Sequence, residues 1–221
     1  MKSGRKTTIK AKAIQAINRR GALLVYPLDN RKEPASIWSE LYPRSKMRWE
    51  WDQGGDTRVS DLWILREELS RSRKVIYSKW YQGRATFLSE EVFTDLLSYL
   101  RPNELALTVE SQQMLDILTS DSPLSTKQLK AAVELEGRLL EPLFNRTIKP
   151  LWRGLLLVGF GEFEDSSFPS LGIGATQTLF EDLWLRSLDV SPDEATARLE
   201  RRLGKDNPFL KFARRVKNPS R

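Results

Sequence analysis

None of the 221 residues of this chain is a cysteine or a histidine. No disulfide can staple it, and no thiolate or imidazole can clip it around a metal. Whatever it folds into must be held by an apolar core, and 40% hydrophobic residues with seven Trp are enough to build one. The same absence removes the Ser-His-Asp and Cys-His catalytic arrangements, leaving Asp, Glu, Tyr, Lys, Ser, Thr and Gln for any chemistry. It also suits a reducing compartment, so a cytoplasmic protein is expected. A formal charge of +7 points to a polyanionic partner. No signal peptide and no apolar run of membrane-spanning length is read, so a membrane is not expected as a partner.

Periodicity divides the chain into short elements. Ile9, Ala13, Ile14 and Ile17 recur at helical spacing after a polar basic tail, Met1 to Thr7, and Gly21 closes that helix. Ala22 to Pro27 reads as a buried strand, and Ser36 to Leu41 as a short helix. Lys46 to Thr57, with Trp49 and Trp51, reads as an ordered loop. A helix over Ser60–Leu69 is expected, with Ser60 as its N-cap. Val75–Tyr77 and Ala85–Leu88 form a hairpin around Tyr81-Gln82-Gly83, and Ser89 caps the next helix. Arg101-Pro102-Asn103 ends that helix.

The second half has a clearer order. A helix over Val109–Leu118 is followed by a capping box at Ser125 and Gln128. The next apolar stripe is Leu140, Phe144, Ile148, Leu151, Trp152 and Leu155. Pro142 fits its first turn, whereas Pro150 should kink it or end it early. Leu155–Phe160 and Leu171–Ala175 are strands around a polar loop. Helix, helix, helix, strand, loop, strand is the order of a winged helix, in which the third helix reads DNA and the loop is the wing. Leu179 to Trp184 and the stretch after Ser191 are further helices, and Phe209 to Arg221 reads as a loosely held basic tail. The expected class is α+β with tandem winged helices. Its divisions are 1–104, an N-terminal winged-helix-like domain; 105–188, a winged-helix domain; and 189–221, a C-terminal helical basic tail.

The polar side of the third helix holds Asn145, Arg146, Lys149 and Arg153, with Lys127 and Lys130 before it. Arg and Asn suit base edges and Lys suits phosphate. The first hairpin adds Lys79 and Arg84, beside Trp80 and Tyr81, whose rings are expected in the core rather than on a stacking platform. These eight polar residues are the candidate DNA contacts. Asp29, Glu50, Asp52, Asp56, Glu67 and Glu68 are the acids weighed for chemistry, and nothing in their spacing brings two together. Gly159-Phe160-Gly161 lacks the Lys-Ser/Thr of a phosphate loop, so no cofactor and no metal is expected.

Gly21-Ala22-Leu23-Leu24-Val25, Trp63 to Leu69, Gly83 to Phe87, and Pro123 to Leu129 through Gly159 resemble the AlkZ/YcaQ superfamily, most closely its AlkZ-related branch. That resemblance implies tandem winged helices wrapped around DNA. It also implies kinship with glycosylases that remove bulky alkylated bases and unhook crosslinks, using a Gln-x-Gln or Gln-x-Asp pair after a Gly-Leu-Leu-like segment. Here that position reads Val25-Tyr26-Pro27, and neither pair occurs anywhere in the chain. Three readings follow: a non-catalytic binder of double-stranded DNA in repair or transcriptional control, a divergent glycosylase using an acid such as Asp29, and a protein-interaction module.

Overall fold

A computed structural model describes residues 2–49, 55–165 and 169–218. The first half runs α1 (Lys2–Arg20), β1 (Ala22–Leu24), α2 (Ile37–Leu41), α3 (Arg58–Ser70), β2 (Ile76–Ser78), a 3-10 turn (Tyr81–Gly83) and β3 (Thr86–Leu88). Then α4 (Glu90–Leu100) leads to α5 (Val109–Ser120), β4 (Leu124–Ser125), α6 (Thr126–Ala132), α7 (Glu141–Arg153), β5 (Leu157–Phe163) and β6 (Ser170–Ala175). The chain closes with α8 (Thr176–Leu179), α9 (Glu181–Leu188), α10 (Pro192–Leu203) and α11 (Pro208–Lys217).

An order of helix, strand, helix, helix, strand, strand therefore occurs twice, from α1 to β3 and from α5 to β6. The strands make one antiparallel sheet in the order β1-β3-β2-β5-β6-β4. Read from either edge, the halves match: first strand, last strand, middle strand. They meet where β2 pairs antiparallel with β5, Tyr77 opposite Gly159. A side chain at 159 would not fit, since a Cβ there would lie 2.2 Å from the Tyr77 ring. Antiparallel neighbours are related by a local two-fold, so the two halves face each other across this seam.

Strand residues alternate between two apolar layers, as a period of two requires. Leu23, Tyr77, Phe87, Leu157 and Ile173 pack with α1, α3, α5 and α7 on one face. Leu24, Ile76, Leu88 and Val158 pack with α4, α9, α10 and α11 on the other. Both layers draw residues from either side of position 104.

The local signals held where they were strong. Ser89 accepts from the Val92 amide, Ser125 and Gln128 form the capping box, and Ser191 accepts from the Glu194 amide. Gly21, at φ +78°, donates its amide to Ile17. Four expectations change. The helix α1 already begins at Lys2, inside the expected tail. The cap of α3 is Thr57, and Ser60 lies inside the helix with its hydroxyl donating to the Thr57 carbonyl. Pro150 does not end α7, which continues to Arg153. It removes only the bond its own N–H would have donated to the Arg146 carbonyl, and the helix carries on, the Gly154 amide donating to the Pro150 carbonyl. The C-terminal stretch is no loose tail, because Phe209, Leu210, Phe212 and Ala213 of α11 are buried against Trp80 and Tyr81. Burying side chains of this size stabilises by roughly 1.5–3 kcal/mol each, which holds a basic helix in place. Trp51, Glu50 and Asp52 lie outside the described residues.

Candidate nucleic-acid interface

The third helix of the second half, α7, is strongly two-sided. Phe144, Ile148, Leu151 and Trp152 are buried, while Asn145, Arg146 and Lys149 are exposed. Spacing of three and four residues produces both faces, so local sequence determines them. Pro142 sits in the first turn, where its missing N–H costs nothing.

Four of the eight expected contacts come together. Lys79 from the end of the first hairpin strand, and Asn145, Lys149 and Arg153 from α7, line one groove of about 660 Å³. Phe144, Ile148, Trp152, Ile173 and Phe212 form its apolar surface, and Gln82 and Gly83 of the hairpin turn form its opposite lip. Lys79, Lys149 and Arg153 make no ion pair among the described residues. Lys79 is part-buried, and its ammonium is pushed below the usual lysine range by burial first and by the Arg66 charge second.

The remaining four do not line this groove, and Lys127 and Lys130 line a separate cleft with Glu136 and Ser170. Arg146 is exposed on α7 and makes no ion pair among the described residues. Its field reaches Glu110 at the start of α5, whose carboxyl is held low chiefly by backbone and Thr108 hydrogen bonds. Arg84 is exposed just past the hairpin turn. Lys127 donates to the Asp165 carbonyl at 3.2 Å. Among the described residues Lys130 is the one of the eight tied to a carboxylate, that of Glu141, and it lies 5.0 Å from the Phe144 ring centre.

The corresponding place across the two-fold is bridged by side chains. There α3 meets β5, and the buried Arg66 pairs with Glu162 and stacks on Trp63 at 3.8 Å. Arg71 donates to the Glu162 carbonyl at 2.6 Å, and the Gly161 amide donates to the Ser70 hydroxyl at 2.9 Å. No sequence signal marks the Arg66–Glu162 pair, because its partners are 96 residues apart. Phe212 was also missed, although its helical spacing with Phe209 and Val216 was a readable signal.

Of the acids weighed for chemistry, the four described ones each face a cation. Asp29 faces Arg31 at 3.7 Å, Asp56 holds Arg58, Glu67 holds Arg71, and Glu68 faces Lys10 at 3.8 Å. Among the described residues no group of three His, Cys, Asp or Glu side chains could hold a metal, and no helix is long and apolar enough to cross a membrane.

The family model described as AlkZ related matches residues 8–211. The chain belongs to the AlkZ-related family. No curated protein and no solved structure matches it. Membership associates the chain with DNA repair and with glycosylase-like relatives. At the position where the family resemblance expects a Gln-x-Gln or Gln-x-Asp pair, Val25 is fully buried and Pro27 is buried too. Tyr26 between them donates its hydroxyl to the Val59 carbonyl at 2.9 Å.

Proposed function

We propose that this protein binds double-stranded DNA through two winged-helix units and does not excise bases. The observation that carries the reading is the outer face of α7, where Arg146 and Lys149 stand exposed and make no ion pair among the described residues. Unpaired cations on the third helix of such a unit are available to phosphates, which supply most of the sequence-independent affinity. The repeated element order and the matched sheet order support the tandem arrangement. Lys79, Arg84, Lys127 and Arg153 extend the cationic surface, while Lys130 chiefly orients Glu141.

Excision leaves positive charge on the sugar and needs a polar group to position the attacking water. Val25 and Pro27 offer none, and Asp29 is exposed beside Arg31. Incubation with DNA carrying an alkylated purine should therefore release no base above the spontaneous rate. Release abolished by Asp29→Asn would instead establish the divergent glycosylase. Titration with an intact duplex at several salt concentrations tests binding, and log affinity should fall linearly with log salt. No binding at low salt, or a flat response, overturns the reading. One observation favours a protein partner as the second reading: Trp63 and Ile64 on α3 are each 48% exposed. Weak, salt-insensitive interaction with DNA would favour that alternative.

A further inference from the structure

The two seams where a third helix meets the opposite half's hairpin differ in one respect. The α3 seam is zipped by Arg66, Glu162 and the Gly161 amide. The α7 seam is left open as a groove of about 660 Å³. A groove that joins three cations to an apolar wall calls for an occupant.

We propose that this groove seats one unpaired nucleotide of the bound DNA, its base against the apolar wall made by Ile148, Ile173 and the rims of Phe144, Trp152 and Phe212, and its phosphates on Lys79, Lys149 and Arg153. The inference rests on the DNA-binding reading above and names the feature of the DNA that this site takes.

Size and chemistry converge on that class. The volume falls within the roughly 300–1,000 Å³ of small-molecule sites. A bare phosphate would leave the aromatic surface unused. A purely apolar ligand would leave three cations without counter-charge as it expelled their water. A nucleotide satisfies both, because any base has a flat face to stack and each linkage carries a negative charge. The single carboxylate in the lining, Glu141, is already tied to Lys130 and so does not repel the phosphate outright. Burial and Arg66 both disfavour the Lys79 ammonium, and a phosphate would supply the partner the fold withholds.

The test compares an intact duplex with the same duplex carrying a one-nucleotide bulge, by fluorescence anisotropy at fixed salt. The bulged duplex should bind about tenfold tighter. Lys79→Met should bring that ratio close to one, and Asn145→Trp, which fills the groove, should do the same. Thymidine 5′-monophosphate, but not inorganic phosphate, should shift the Trp152 indole resonance. Equal binding of both duplexes overturns the nucleotide site while leaving the DNA reading intact. Binding of neither at low salt overturns both. An indole shift with inorganic phosphate alone overturns the base-stacking part, and a Lys79→Met variant that melts below the wild type assigns the lysine a structural role and overturns its phosphate contact.

Discussion

The helices α3 and α7 occupy matching positions, and each is 13 residues long, yet they use their cations in opposite ways. In α3, Arg58 is held by Asp56 and lies over the Trp38 and Tyr42 rings at 5.1 and 4.8 Å. Its Arg66 is buried and paired with Glu162, so its outer surface is left to Asp61, Trp63 and Ile64. In α7, Arg146 and Lys149 are exposed and make no ion pair among the described residues. Place in the fold therefore does not confer a function. A cation already neutralised inside the protein offers little to a phosphate, whereas an unpaired one releases counterions when it binds.

The sharpest way to break this contrast is Arg66→Ala. It leaves Glu162 without its buried partner and should cost about 3–5 kcal/mol in denaturant unfolding. A loss near zero would mean that α3 and α7 are not so different. Phe144→Ala should cost a comparable ~3–5 kcal/mol, because that ring is buried on the inner side of α7. Next comes the pair Arg146→Ala and Lys149→Ala. Together they should lower the slope of log affinity against log salt by about two. Melting should shift by no more than the ~0.5 kcal/mol usual for surface changes. Equal salt slopes for this variant and the wild type would remove α7 from the interface.

The smallest expected effect concerns Lys79. Its folded pKa lies below the unfolded value, so the unfolded chain binds more protons in the interval between them, and stability rises with pH there. Below the lowered pKa the buried charge costs its full amount. Lys79→Met should therefore melt slightly above the wild type at neutral pH, and the gap should close as the pH rises through that interval. A gap that widens with pH would reverse the assigned cause. A variant that gains stability and loses bulge preference would show the trade expected of a binding residue.

Much of α7 was legible beforehand. Its buried stripe and its outward Asn145, Arg146 and Lys149 follow from spacing alone, and the hairpin and its core aromatics followed from short β-prone runs around a turn. Less was legible of the groove. Lys79 and Arg153 were named as contacts for separate surfaces, and nothing local tied them together or to Phe212. The stretch after Phe209 is hard to read from sequence because its positive charges are more conspicuous than the apolar spacing beneath them.

By itself the sequence determined the local grammar of this protein. Caps at Ser89, Ser125 and Ser191, two-sided helices and short strands arise from interactions over three or four residues, or over alternate residues in a strand. It also determined what is missing: histidine, cysteine and any Gln-x-Gln or Gln-x-Asp pair. The tertiary structure alone decided that the two halves share one sheet through Tyr77 and Gly159, that one seam is zipped by Arg66 and Glu162, and that the other stays open beside Lys79. A cation becomes tied or stays free according to which carboxylate the fold brings to it. That carboxylate can lie 96 residues away, where no sequence period reaches.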